Sequence, residues 1–224
     1  MLSLVARYLI FSFLCLLNAM QLHAEAPKWR EEQNKDGIRV ATASREGSPY
    51  RAFRGEVVID AGLNSLMAVL DDTDGFTRWM FNCKEARLIY KPSLLDRYQY
   101  LVNDFPWPAA DREMLIRNRI SQDPETRVIS VSLEAYAAES LPESVRGRLP
   151  AGKGLVRVEE LAGHFVLTPL ADSRTAVEFQ LHLDPNGDLP AGIVNALIVE
   201  NPYETLKGLR ELATLPKYQH FNPF

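Results

Sequence analysis

The chain has 224 residues, with Lys+Arg 25 against Asp+Glu 29 and a formal net charge of −4. That length fits one domain, and 46% hydrophobic with 24% charged residues excludes wholesale disorder. The mild acidity argues against nucleic acid as a partner, and two cysteines exclude both a disulfide scaffold and a cysteine-based zinc site.

The chain opens with one positive charge, Arg7, an apolar run from Tyr8 to Leu17, and small residues at Ala24 and Ala26. This is the layout of a secretory signal peptide, and its apolar core is too short for a spanning helix, which needs about twenty residues. The expectation is a signal peptide over 1–24, cut after Ala24, and an exported, periplasmic product. Cleavage would leave Cys83 as the remaining cysteine. Its neighbours Trp79, Phe81 and Ala86 mark it as a small buried hydrophobe.

Residues 27–35 read as a short polar helix pinned by Trp29. Asp36-Gly37 is a turn signal, and strand-like runs over 38–45 and 50–60 form a hairpin. Leu63, Leu66, Met67 and Leu70 recur at helical spacing and predict a helix ending near Asp71-Asp72, with a second short helix carrying Phe76, Trp79 and Met80. Strands follow over 86–91, 97–103, 113–120, 127–137, 155–160, 164–169 and 175–184. The last alternates Val177, Phe179, Leu181 and Leu183 with Glu178, Gln180, His182 and Asp184, so one face is buried and the other wet. A long helix over 190–215 closes the chain, with an apolar stripe including Ile193, Leu197, Leu206 and Leu209 and a kink expected at Pro202. The fold class is α+β: a curved antiparallel sheet closed over by one long helix, with a cleft between them.

No catalytic constellation emerges. His164, His182 and His220 lack partners at metal-ligand spacing, and His182 with Asp184 reads as a solvated pair. No nucleophile elbow, phosphate loop or dinucleotide fingerprint occurs. Arg112, Arg117 and Arg119 lie on one strand, Arg117 and Arg119 sharing a solvated basic face. Asn118 falls instead among Met114, Ile116 and Ile120, where a polar group needs a hydrogen-bond partner in the protein or a ligand.

Several segments resemble the START domain family (steroidogenic acute regulatory protein-related lipid transfer). Asp36-Gly37-Ile38-Arg39-Val40 with Tyr50-Arg51-Ala52-Phe53-Arg54-Gly55 resembles its opening strands. Val69-Leu70-Asp71-Asp72, then Trp79 and Cys83-Lys84-Glu85-Ala86, resembles its first helical segment and the next strand. Pro106-Trp107-Pro108 with Asp111-Arg112-Glu113 resembles its proline-rich turn. Gly154-Leu155-Val156-Arg157, Leu167-Thr168-Pro169-Leu170, and the run from Asp184 to Pro190 with Asn195 complete the set. With the short export signal, the chain looks like a bacterial exported member, its domain spanning 27–218.

The resemblance implies a helix-grip fold: a curved antiparallel β-sheet wrapped around a long C-terminal α-helix, with an internal apolar cavity. It also implies a non-catalytic binder of one phospholipid, sterol or fatty-acid-like molecule, without cofactor or metal and with transient membrane-surface contact. The C-terminal helix would be the lid, flexing at Pro202. Candidate cavity-lining residues are Tyr100, Trp107 (at the entrance), Met114, Ile116, Asn118, Val131, Leu133, Phe165, Leu167, Phe179, Leu181, Ile193 and Leu197. One departure is Asn118, which falls about where some relatives place a buried arginine. Two rivals stand beside this reading. A cyclase- or aromatase-type enzyme of the same superfold would need Asn118 or Glu134 projecting into the cavity. An interaction module would fill the cavity with its own side chains.

Overall fold

The computed structural model describes residues 27–187 and 189–220, so the expected signal segment lies outside the described residues. Ten strands form one sheet: β1 (Arg30–Lys35), β2 (Ile38–Ala43), β3 (Ala52–Ile59), β4 (Cys83–Ser93), β5 (Asp96–Asn103), β6 (Arg112–Gln122), β7 (Ile129–Ala135), β8 (Val156–Arg157), β9 (Glu160–Pro169) and β10 (Thr175–Asp184). The order is β1-β2-β3-β10-β9-β7-β6-β5-β4, antiparallel throughout, with the two-residue β8 beside β6 in parallel. The helices are α1 (Leu63–Asp71), α2 (Glu143–Arg146), α3 (Ala191–Ala213) and α4 (Pro216–Gln219), with a 3₁₀ segment over Thr73–Arg78. This is the expected curved antiparallel sheet with a long C-terminal helix.

The main correction lies at the start. Residues expected to form a helix instead form β1, which pairs with β2 from Lys35↔Ile38 outward. The cause is the Asp36-Gly37 turn: both residues have positive φ, 54° and 74°, which suits a tight hairpin connection. Trp29 is pinned from the sheet, by the Arg54 guanidinium 4.7 Å above its ring. The expected strand over 155–160 shrinks to Val156–Arg157, and the second short helix is the 3₁₀ segment.

The principal core lies on the inner face of the sheet, where α1 and α3 cover it. Burial divides α3 in two. In its second half Tyr203, Leu206, Leu209 and Ala213 are buried against β2, β3 and α1. Tyr203 Oη donates to Asp36 Oδ2 (2.5 Å) and Arg210 Nη1 donates to the Asp36 carbonyl (2.7 Å), so this half is tied to the β1–β2 turn. At Gly208 the helix comes so close to Trp79 that an added Cβ would sit 2.6 Å from its carbonyl oxygen. The first half is looser: of residues 191–201 only Val194 is buried, and Ile193 is 48% exposed. Asn195 ties this half down, its Oδ1 accepting from the Arg51 amide (3.0 Å) and its Nδ2 donating to the Pro49 carbonyl (3.2 Å). Between the halves sits Pro202, which has no N–H to bond the carbonyl four residues back.

A second, smaller core covers the outer face of β4–β6. Ile89, Tyr98, Tyr100, Val102 and Leu115 pack there against Leu141 and Val145 from the segment carrying α2. None of the described helices is long and apolar enough to cross a membrane.

Candidate functional site

Two apolar voids lie on the inner side of the sheet. The outer, about 60 Å³, is lined by Phe53, Leu181 and Leu183 of the sheet, by Arg51 and Phe105, and by Val194, Leu197, Ile198 and Asn201 of α3. The inner, about 40 Å³, is lined by Leu70, Phe76, Trp79 and Met80 on one side and by Arg97, Gln99, Leu101, Ile116, Asn118, Val131, Leu133 and Phe165 on the other. No residue of α3 lines the inner void.

Of the sequence-predicted residues, Ile116, Asn118, Val131, Leu133 and Phe165 meet at the inner void, and Leu181 and Leu197 at the outer. Met114, Leu167 and Phe179 are buried in the same core without lining either; Phe179 stacks on Phe165 with centroids 4.2 Å apart. Three residues are elsewhere. Tyr100 belongs to the outer-face core, because it stands opposite Leu115 while its neighbour Leu101 stands opposite Met114 on the inner face. Its hydroxyl donates to Glu113 Oε2 (2.7 Å), and burial pushes its pKa far up. Trp107 is 92% exposed at the loop after β5 and lines neither void, and Ile193 faces outward. Of the lid stripe, Leu206 and Leu209 are core. Glu134, one polar group that an enzymatic reading required in the cavity, instead pairs with Arg119 on the exposed side (2.5 Å).

The polar side chains facing the inner void form a chain. Asn118 Nδ2 donates to Gln99 Oε1 (2.7 Å), and Gln99 Nε2 donates to Thr73 Oγ1 (2.6 Å). Beside them Arg97, 2% exposed, donates through Nη1 to Asp71 Oδ1 (2.5 Å) and to the Leu70 carbonyl (3.1 Å). Burial pulls the Arg97 pKa down, and the Asp71 carboxylate opposes that shift. Lys91 also donates to Asp71, at 2.7 and 3.0 Å. Two donors at this void have no hydrogen-bond partner among the described residues: Arg97 Nε and Trp79 Nε1. Sequence reading found Asn118 and missed Arg97. Arg97, Gln99 and Leu101 alternate along β5, but that strand is buried on both faces, so alternation did not show which set points inward.

The approach to the outer void is framed by two loops that Arg112 joins. Read from sequence as one of a strand's basic residues, Arg112 is buried. It donates to the carbonyls of Ala110 (2.5 Å), Pro185 (3.0 Å) and Asn186 (2.8 Å), and its guanidinium lies 4.7 Å from the Phe105 ring. Arg117 does face outward, paired with Asp96 at 2.7 Å. Cys83 is buried as expected, and burial pushes its thiol pKa up to about 11.

His182 corrects the expectation of a solvated pair with Asp184. It is 7% exposed, with Nε2 3.2 Å from Ser48 Oγ beneath the β2–β3 loop. Burial, reinforced by Arg45, lowers its pKa. As pH falls through the imidazole range the unfolded chain therefore takes up this proton first, and stability drops. The urea midpoint should decrease between about pH 7.5 and about pH 5.5, and His182→Gln should shrink that decrease. An equal decrease in the variant would remove His182 as the cause.

The START domain family model matches residues 15–217. An uncharacterised protein of Pseudomonas aeruginosa is 31% identical over 191 residues, covering 85% of this chain and 89% of that one. The human mitochondrial steroidogenic acute regulatory protein is 25% identical over 186 residues, 82% of this chain and 62% of that longer protein. A solved STAR-related lipid transfer protein fragment from Xanthomonas axonopodis superposes with a TM-score of 0.73 at 33% identity, covering 84% of this chain and 99% of the fragment. Human StAR-related lipid transfer protein 5 superposes at 0.69 with 15% identity, covering 93% and 94% of the two chains.

Proposed function

The chain belongs to the START domain family, and from that premise we propose that it is a non-catalytic carrier holding one apolar, lipid-like ligand between the sheet and α3. The observation carrying this reading is the pair of apolar voids on one interior face, the outer one lying beneath the loosely packed half of α3. Shielding each methylene from water contributes about 0.8 kcal/mol, so a long acyl chain or a ring system is held strongly by wall contacts alone.

The free volumes of about 60 and 40 Å³ are far below the roughly 300 Å³ or more of a small-molecule pocket. Entry therefore requires opening. The moving part is residues 191–201, released when the Asn195 bonds break and flexing at Pro202, while the second half of α3 stays on the sheet. Pro202→Ala restores the missing helix bond and should slow exchange of a fluorescent fatty acid several-fold without loss of stability. Unchanged exchange rates would locate the opening elsewhere.

Exchange would take place at a lipid surface. Two features support Trp107 as that contact: it is exposed on the same loop as Phe105 of the outer void, and tryptophan favours the membrane interface. Trp107→Ser should leave the urea midpoint unchanged and slow ligand uptake from neutral vesicles; uptake at the original rate would remove this contact. The compartment we propose is the periplasm, on the pattern of residues 1–24, and cell fractionation tests it.

The deciding experiment is native mass spectrometry of the protein purified from its own envelope fraction, with extraction of whatever co-purifies. A stoichiometric adduct in the lipid mass range is the expected result. A clean protein mass that persists after incubation with mixed lipid vesicles would make the interior ordinary core and favour an interaction module.

A further inference from the structure

We propose that the ligand is an amphipathic carboxylic acid whose carboxylate docks in the inner void against Arg97 and Trp79. This rests on the carrier reading and narrows it to a ligand class.

Arg97 and Trp79 both line the void, and each carries a buried polar atom without a partner among the described residues; both atoms, Nε and Nε1, are donors. The side-chain amides beside them, Gln99 and Asn118, are already engaged in the chain that ends at Thr73. Buried donors without acceptors are costly and uncommon in native proteins. What they call for is a group that accepts hydrogen bonds and need not donate one.

Asp71 is one carboxylate shared by two cations, Arg97 and Lys91. No acidic side chain is among the residues lining the void, and the trio, of which Arg97 lines it, carries a net positive charge. A neutral ester or ketone would occupy the donors and leave the charge unbalanced, whereas a carboxylate answers both and forms the stronger, charge-assisted bonds. Size points the same way. The void is about 40 Å³ and no part of α3 lines it, so lifting the helix does not enlarge it. It suits a small planar group rather than a phosphate diester with its headgroup.

Three probes of equal chain length test this: oleic acid, methyl oleate and oleyl alcohol, delivered from cyclodextrin to the purified protein and measured by calorimetry. Oleate should bind about tenfold more tightly than either neutral probe, as charge-assisted bonding predicts. Arg97→Gln should bring the three within about threefold of one another by weakening oleate alone, and Trp79→Phe should weaken oleate while keeping the aromatic wall. Equal affinities in the unmodified protein would overturn the carboxylate assignment and leave the carrier reading standing. Failure of all three probes, with a neutral lipid co-purifying, would overturn it as well. Failure of all three with no co-purifying lipid would remove both readings. Should Arg97→Gln fold poorly, the three-probe comparison in the unmodified protein still decides.

Discussion

Gly208→Val is expected to destabilise the protein by about 3 kcal/mol and lower its melting temperature by about 6–12 °C. The cause is contact with backbone rather than with a movable side chain. A Cβ at this position would lie 2.6 Å from the Trp79 carbonyl oxygen and 2.9 Å from the Trp79 Cα, so either α3 lifts or the chain after α1 shifts. Gly208→Ala should show the same effect in smaller measure. Thermal melts of the three proteins provide the check, and a valine variant melting like the original would mean that the helix does not seat this closely. Because Trp79 lines the inner void, the valine variant should also bind ligand more weakly than its residual folded fraction accounts for.

Arg112→Met is the second large effect. The substitution keeps much of the side chain's length and removes every hydrogen bond to Ala110, Pro185 and Asn186. Leaving such carbonyls without a donor costs about 2–3 kcal/mol. The loop before β6 and the loop before α3 are then no longer joined, so the rim of the outer void loosens. Stopped-flow release of a bound fluorescent fatty acid should accelerate about tenfold, the rate counterpart of roughly half that energy being spent on holding the rim closed. Lower stability with an unchanged release rate would show that Arg112 supports the fold without holding the entrance.

Legibility from sequence followed local chemistry. β10 matched its expected span, Thr175–Asp184, because one of its faces is apolar and the other polar. The spacing of Leu63, Leu66, Met67 and Leu70 located α1 for the same kind of reason. β1 was hidden because its residues, Arg-Glu-Glu-Gln-Asn-Lys, carry no alternation; only the adjoining turn makes them a strand. Tyr100 was misassigned because β5 is buried on both faces, so periodicity could not say which of Tyr100 and Leu101 points inward. The cover over its outer face comes from residues around Leu141 and Val145, whose short helix has no repeating pattern. Asn118 stood out as polar among apolar neighbours. Arg97 did not, since a buried cation is recognised only once Asp71 is seen across the gap from it.

The pairing of β3 with β10 governs how the chain reaches this state. Thr175 lies opposite Ile59 and Leu181 opposite Phe53, so the centre of the sheet joins segments far apart in sequence. Contacts of that separation are slow to form, since the long intervening loop must be ordered first. During synthesis the first hairpin and α1 emerge early, yet the surface that seats them arrives with the final quarter of the chain. Closing the sheet therefore waits for β10, and until that strand is made the apolar face of the earlier segments has nothing to cover it.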